Sequence, residues 1–244
     1  MTGTIKINGL DTFYKQEGDG QNLLLLHGWG GSIDSFCPVF DSMKKHFRVT
    51  AVDFWGFGKS QMPPEGVDTY WYARQTKEFL DKMGIKKTFV ISHSFGGRVA
   101  LVLADWHKGL FDKIVLCSSA GIRPRFSLKK YIAIKKYKIA KRFAKEEKLK
   151  KYGSDDYKNL DCKMQKTFVR VVNDFLECHA KNTVAQTLLV WGKEDKQTPL
   201  YMANKLNRLV KNSGLVVIED AGHFCYIDNF YLFDKVVKSF FGVL

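Results

Sequence analysis

Thr88-Phe-Val-Ile-Ser92-His93-Ser94-Phe95-Gly96-Gly97-Arg98-Val-Ala-Leu101 joins an apolar run to a helical pattern with only a few small residues between them. Thr88–Ser92 reads as a strand buried on both faces, and the apolar spacing from Gly97 to His107 reads as a helix. A turn this tight forces its central residue into a strained backbone conformation. Small residues two before and two after that residue avoid collision, and its side chain is thrust out of the turn. Here the central residue is Ser94, with Ser92 and Gly96 beside it. Alone, the stretch also reads as a helix N-terminus with a capping serine, so the rest of the chain must choose between the two.

Outward from this turn, short apolar runs alternate with helical stretches. Thr4–Asn8 and Asp11–Glu17 form an expected hairpin turning near Asn8-Gly9. Leu23–Leu26, Phe47–Asp53, Lys113–Cys117, Thr187–Trp191 and Leu215–Glu219 read as further strands. Helices are expected at Ser35–Lys45, Thr69–Met83, Leu200–Val210 and Phe230–Phe240. Strand and helix in alternation imply a mostly parallel central sheet flanked by helices, an α/β fold. Residues 121–183 interrupt the alternation with a helical, basic pattern and no convincing strand. The expected organisation is a core of residues 1–120 and 184–244 carrying an all-helical cap, residues 121–183, over the strand ends where ligands bind in open parallel sheets.

Three more loops, each after an expected strand, carry polar residues. Leu26-His27-Gly28-Trp29-Gly30-Gly31 is a glycine-rich turn able to aim backbone N–H groups at an anion, without the G-x-G-x-x-G spacing of a dinucleotide loop. Gly192-Lys-Glu194-Asp195 and Asp220-Ala-Gly222-His223 follow the last two strands. Gly58-Lys59-Ser60 ends like a phosphate-binding loop, but Asp53 stands where that loop needs its first glycine.

Together these loops resemble the α/β-hydrolase superfamily. The Ser94 turn is similar to its G-x-S-x-G nucleophile elbow, with Ser92 in place of the first glycine. His27-Gly28 is similar to its oxyanion loop, Asp53-x-x-Gly56-x-Gly58-x-Ser60 to a structural turn beside its cleft, and the last two loops to its acid and histidine turns. Glu194 and Asp195 are both candidates for the acid, and the G-x-x-D spacing selects Asp195. The resemblance implies Ser94 as nucleophile, His223 as base and Asp195 as its orienting acid, in the chain order this fold uses. It implies the backbone N–H groups of Trp29 and Phe95 as oxyanion donors, and no metal or organic cofactor. His27 and His93 fall inside motifs, the first in the oxyanion loop and the second expected to point away from the cleft; His46, His107 and His179 are expected to be structural.

The activity expected first is hydrolysis of small or medium carboxylic esters through an acyl-enzyme. The same trio also serves carbon–carbon bond hydrolases and a menaquinone-pathway synthase. Those enzymes handle carboxylate-bearing substrates, for which Arg98, Arg123 and Arg125 are candidate ligands. A ligand receptor on the same fold is a further alternative.

Composition sets the outer bounds. A chain of 244 residues with 45% hydrophobic and 26% charged residues can bury one sizeable core without a metal or disulfide staple. Its five cysteines are scattered and form no C-x-x-C pair, so reduced thiols are expected. The net charge of +14 is concentrated. Residues 121–151 hold thirteen Lys or Arg against Glu146 and Glu147, which is +11 and leaves +3 elsewhere. That distribution argues against a nucleic-acid partner. Ser127–Lys151 mixes Leu128, Ile132, Ile139 and Phe143 with lysines. An apolar face packed over the cleft with solvated lysines is the first expectation, and contact with an anionic surface the second. With no run of about eighteen apolar residues and no basic-then-apolar leader pattern, the expected location is the cytoplasm.

Overall fold

A computed structural model of the protein describes residues 1–126, 157 and 160–244. Eight strands form one sheet: β1 (Thr2–Ile7), β2 (Leu10–Glu17), β3 (Asn22–Leu26), β4 (Arg48–Val52), β5 (Thr88–His93), β6 (Phe111–Cys117), β7 (Gln186–Gly192) and β8 (Ser213–Ile218). Their order across the sheet is β1-β2-β4-β3-β5-β6-β7-β8. The pairs β1–β2 and β2–β4 are antiparallel, and every other pair is parallel. Ile7 pairs with Leu10 around Asn8 and Gly9, both at positive φ, the two-residue geometry that matches strand twist.

The helices among the described residues are α1 (Cys37–Met43), α2 (Thr69–Lys82), α3 (Phe95–Trp106), α4 (Cys162–Asn173), α5 (Glu177–Asn182), α6 (Leu200–Leu209), α7 (Cys225–Asp228) and α8 (Phe230–Phe241). Asp68, Asp161 and Asn229 cap α2, α4 and α8 with side-chain oxygens that accept backbone N–H groups the helices leave unpaired.

Strand period two splits the apolar runs between two cores. Leu24, Leu26, Val90, Leu116, Leu189 and Trp191 face one layer, where α2, α3 and α6 pack. Leu23, Leu25, Ile91, Val115 and Val190 face the other, beneath α1 and α8. This is why these runs are apolar throughout rather than alternating.

The strand order also locates the cleft. From β3 the chain moves outward to β4 on one side, then returns to β5 on the other. Connections that leave in opposite directions open a crevice at the C-terminal ends of β3 and β5. Ser94 follows β5 at that edge, and the loops after β3, β7 and β8 surround it.

In the 121–183 segment, α4 and α5 are helical as expected, while residues 127–156, 158 and 159 lie outside the described residues. The expected amphipathic helix Ser127–Lys151 therefore falls outside them. No helix among the described residues is long and apolar enough to cross a membrane. Cys117 and Cys225 are buried, Cys37, Cys162 and Cys178 are exposed, and all five are free thiols.

Candidate active site

Among the described residues four non-glycine positions have positive φ, and three of them, Ser94, Ser118 and Asp220, lie at the C-terminal edge of the sheet after β5, β6 and β8. Ser94 stands at φ 48°, ψ −106°. Such conformations cost about 1–3 kcal/mol and persist only where their surroundings fix them. Here the Ser94 N–H donates to the Cys117 carbonyl at 3.0 Å, and its carbonyl accepts from Gly97 and Ala120. The space is equally tight around it. A Cβ on Gly96 would sit 2.1 Å from the Leu26 oxygen, and one on Gly97 equally close to the Ser119 hydroxyl. Those glycines let α3 start directly against β3 and β6, so Ser94 is displayed at the turn and is only partly buried.

Ser92 fits the place of the missing glycine. It is fully buried, and its hydroxyl donates to the Val115 carbonyl at 3.2 Å. A small side chain that satisfies its own hydroxyl leaves the turn intact.

His223 and Asp195 meet in the buried wall of the cleft. His223 Nδ1–H donates to Asp195 Oδ2 at 2.9 Å, which leaves Nε2 as the basic nitrogen. Asp195 is 4% exposed and accepts the N–H groups of Gln197 and Thr198 on Oδ1 and the Thr198 hydroxyl on Oδ2. Burial pushes its carboxyl up, but the hydrogen bonds and charge of His223 and the bonds of Thr198 prevail and hold it below the ordinary carboxylate range. Glu194, the other acid candidate, is exposed, and its N–H donates to the Ala221 carbonyl.

The loop after β3 lies against Ser94. A Cβ on Gly28 would meet His93 Nδ1 at 2.6 Å and the Ser94 Cβ at 3.4 Å. His27 shapes this loop from below: Nε2 accepts from the Phe54 N–H and Nδ1–H donates to the Gly28 carbonyl. Burial lowers its pKa, consistent with the neutral ring these two bonds require. The Trp29 ring packs edge-on against Phe95, at 5.4 Å, and against Phe57 and Phe168. Phe95 is the first residue of α3, so its N–H has no intrahelical acceptor.

Two sequence models agree with this arrangement. The model described as the alpha/beta hydrolase fold matches residues 21–131, and that of TAP-like protein matches residues 151–242. The chain is a member of the α/β-hydrolase fold superfamily. Within it, the chain is 25% identical to a 2-hydroxy-6-oxo-6-(2'-aminophenyl)hexa-2,4-dienoic acid hydrolase of Metapseudomonas resinovorans, over 97% of this chain and 89% of the relative. It is 27% identical to a 2-hydroxymuconate semialdehyde hydrolase of Pseudomonas putida, covering 95% and 91%. A serine hydrolase of Cycloclasticus zankles superposes with TM-score 0.78 over 99% of this chain and 98% of its own, at 24% identity.

In this α/β-hydrolase the remaining loop of the motif set is structural. Asp53 is buried and accepts the N–H groups of Ile33 and Lys59. A Cβ on Gly58 would lie 2.1 Å from its carboxylate, so the glycine there is a steric need.

The three arginines stand apart from the trio. Arg98 lies one turn into α3, is 7% exposed and donates to the carbonyl of Asp174, the C-cap of α4. Burial lowers its pKa to about 10, so it remains a cation, tied to a helix end rather than offered to a substrate. Arg123 and Arg125 are exposed beside Phe175 and Tyr201, and the hollow they line contains neither Ser94 nor His223. Their placement removes the reason for assigning them to a substrate carboxylate in the cleft.

Two residues at the site carried no role in the sequence reading. His93, expected to point away from the cleft, is buried among the loops of the site: its Nε2–H donates to the His223 carbonyl at 3.0 Å and its ring packs 4.7 Å from the His223 ring. Thr198 joins Asp195 to the Ser118 carbonyl. Its position three residues after the acid was the one available signal. No sequence feature announced His93 beyond its place inside the elbow.

Proposed function

We propose that this α/β-hydrolase cleaves small to medium carboxylic esters, with Ser94 as nucleophile, His223 as general base and Asp195 as its orienting acid. The observation that carries the reading is the pairing of a strained serine at the strand–helix turn with a histidine whose Nδ1–H is held by a buried carboxylate. A serine hydroxyl is a weak nucleophile, so its proton must pass to a base as it attacks. His223 Nε2 takes it, Ser94 Oγ bonds to the ester carbonyl carbon, and the oxyanion is met by the N–H groups of Trp29 and Phe95. Neither N–H donates to a described residue; each such donor contributes about 10²–10³ in rate. Collapse expels the alcohol with the proton from His223, and water then releases the acid by the same steps in reverse. Ser94 Oγ makes no hydrogen bond to a described residue; catalytic bonds of this kind often tighten only with substrate in place.

Residues 121–183 are proposed as a helical cap. Phe168 on α4 meets Trp29 at 5.2 Å, and Met164 lies where a Cβ on Gly56 would touch it, so α4 covers the cleft with apolar side chains. Among the described residues, an apolar cover without a free arginine beside Ser94 and His223 favours a neutral ester. The second reading is carbon–carbon bond hydrolysis by the same trio, favoured by the two relatives named for dienoic acid and semialdehyde substrates.

The test is turnover of p-nitrophenyl esters of increasing chain length, beside a ring-cleavage dienoate, by wild type and Ser94→Ala. Ester turnover lost in the variant supports the proposal, and the chain-length optimum sizes the covered cleft. Dienoate turnover with inert esters moves the assignment to the second reading. A folded wild type that binds such ligands and turns over none of them is a receptor.

A further inference from the structure

We infer that the hollow between residues 123–125 and α6 is a binding site for a phosphate ester, separate from the hydrolytic cleft. It has a volume of about 470 Å³ and is lined by Arg123, Arg125, Tyr201, Lys205 and Arg208, within the range of about 300–1,000 Å³ common for small-molecule sites. Tyr201, Lys205 and Arg208 follow one another at spacings of four and three on α6, which puts them on one helix face. Among the described residues lining it there is no Asp or Glu.

The cations are held in place rather than scattered. The Arg123 guanidinium lies 4.6 Å over the Phe175 ring and that of Arg125 lies 4.4 Å over Tyr201. Stacking fixes each guanidinium plane and leaves its N–H edges to bind. The backbone is fixed as well: the Arg123 N–H donates to Glu177 and the Arg125 N–H to the Tyr201 hydroxyl. Glu177 also pairs with Lys205 at 3.1 Å, which answers one of the four charges. No carboxylate among the described residues pairs with Arg123, Arg125 or Arg208. Three guanidiniums converging on one hollow repel one another unless an anion joins them. Planar guanidinium forks pair with carboxylate and phosphate oxygens alike, but a phosphate ester, with three terminal oxygens and up to two negative charges, can answer three guanidiniums at once where a single carboxylate cannot. Two sources present this chemistry, a soluble phosphate ester and a phospholipid headgroup.

The experiment titrates inorganic phosphate and glycerol 3-phosphate into the whole protein at low salt by calorimetry. One saturable site is expected. Its affinity falls at least tenfold in the double variant Arg125→Ala, Arg208→Ala and is unchanged in Ser94→Ala and in Arg74→Ala, an exposed control on α2. Both pocket arginines are exposed, so circular dichroism of the double variant should match wild type. Absence of saturation, or equal binding by the double variant, overturns the site. Binding lost in Ser94→Ala also overturns it, because the anion then sits in the hydrolytic cleft. Co-sedimentation with phosphatidylglycerol/phosphatidylcholine vesicles separates the sources. Arginine-dependent sedimentation assigns a lipid headgroup, and saturable free phosphate without sedimentation assigns a soluble ester. Sedimentation that survives in the double variant without saturable phosphate binding counts against the site.

Discussion

Thr198 Oγ1 lies 2.7 Å from Asp195 Oδ2, the same oxygen that accepts from His223 Nδ1. The hydroxyl also stands 3.1 Å from the Ser118 carbonyl and 3.4 Å from His223 Nδ1. With one proton to give, it serves the nearer and charged Asp195 oxygen and stands beside the strained residue after β6. Thr198→Val keeps the shape and removes the hydroxyl, leaving Oδ2 with His223 alone. A hydrogen bond to a charged group contributes about 1.5 kcal/mol or more, so kcat is expected to fall about tenfold with little change in KM. The carboxylate loses a stabilising donor, so its pKa rises and the acid limb of kcat moves to higher pH. Thr198→Ser should restore both. A pH–rate profile of Thr198→Val identical to wild type would reduce this residue to packing.

The elbow separates two kinds of small residue. Gly96 has no room for a methyl group, with the Leu26 carbonyl 2.1 Å from the position a Cβ would take. Gly96→Ala is therefore expected to destabilise the fold by about 1–3 kcal/mol or more, the range for overpacking. Ser92→Gly removes only the bond to the Val115 carbonyl and adds backbone freedom, costing about 1–2 kcal/mol. Its ester turnover should remain near wild type. Urea midpoints and initial rates of the two variants distinguish them; a strong loss of turnover in Ser92→Gly would mean that the serine does more than fill the turn.

Arg98 carries a structural prediction in place of its expected substrate role. Arg98→Met keeps the stem but leaves the Asp174 carbonyl, at the end of α4, without its donor. A buried carbonyl left unsatisfied costs about 1–3 kcal/mol, and this one, partly buried, is expected at the low end of that range. The urea midpoint should drop, and turnover of longer esters should fall as α4 loosens above Trp29. The ratio of rates on neutral and carboxylate-bearing esters should not change. A selective loss of the carboxylate-bearing substrates would return Arg98 to the substrate.

The sheet was legible because buried parallel strands are written as unbroken apolar runs. Each of Leu23–Leu26, Thr187–Trp191 and Thr88–Ser92 lies inside an observed strand. Helix ends differ by a residue or two. The two-residue shift from Gly97 to Phe95 at the start of α3 arises because no loop separates Ser94 from its helix. The loops that carry Ser94, Asp195 and His223 were legible through short motifs in order, and of these residues the structure joins His223 to Asp195. The arginines were not, because a guanidinium's partner is set by tertiary contact: Arg98 by the end of α4, a helix distant in sequence, and Arg125 by Tyr201. His93 was half legible. Strand alternation gives the face it points to, but the His223 backbone that meets it there comes from 130 residues away.

That contact makes the fold sensitive to acid. Burial, and next the charge of His223, push the His93 pKa down to about 3 from an ordinary value of 6.5. The folded protein therefore keeps this ring neutral where the unfolded chain binds a proton. The stability it contributes is complete above about pH 6.5 and is lost as pH falls from there towards 3, at up to about 1.4 kcal/mol per pH unit. His27, buried and likewise lowered, adds to the loss in the same direction. His93→Gln can still donate to the His223 carbonyl but cannot take up a proton. Between pH 7 and pH 5 the wild type is expected to lose about 2 kcal/mol more than this variant. Urea unfolding at the two pH values checks it, and parallel losses in the two proteins would show that His93 is not the group that titrates.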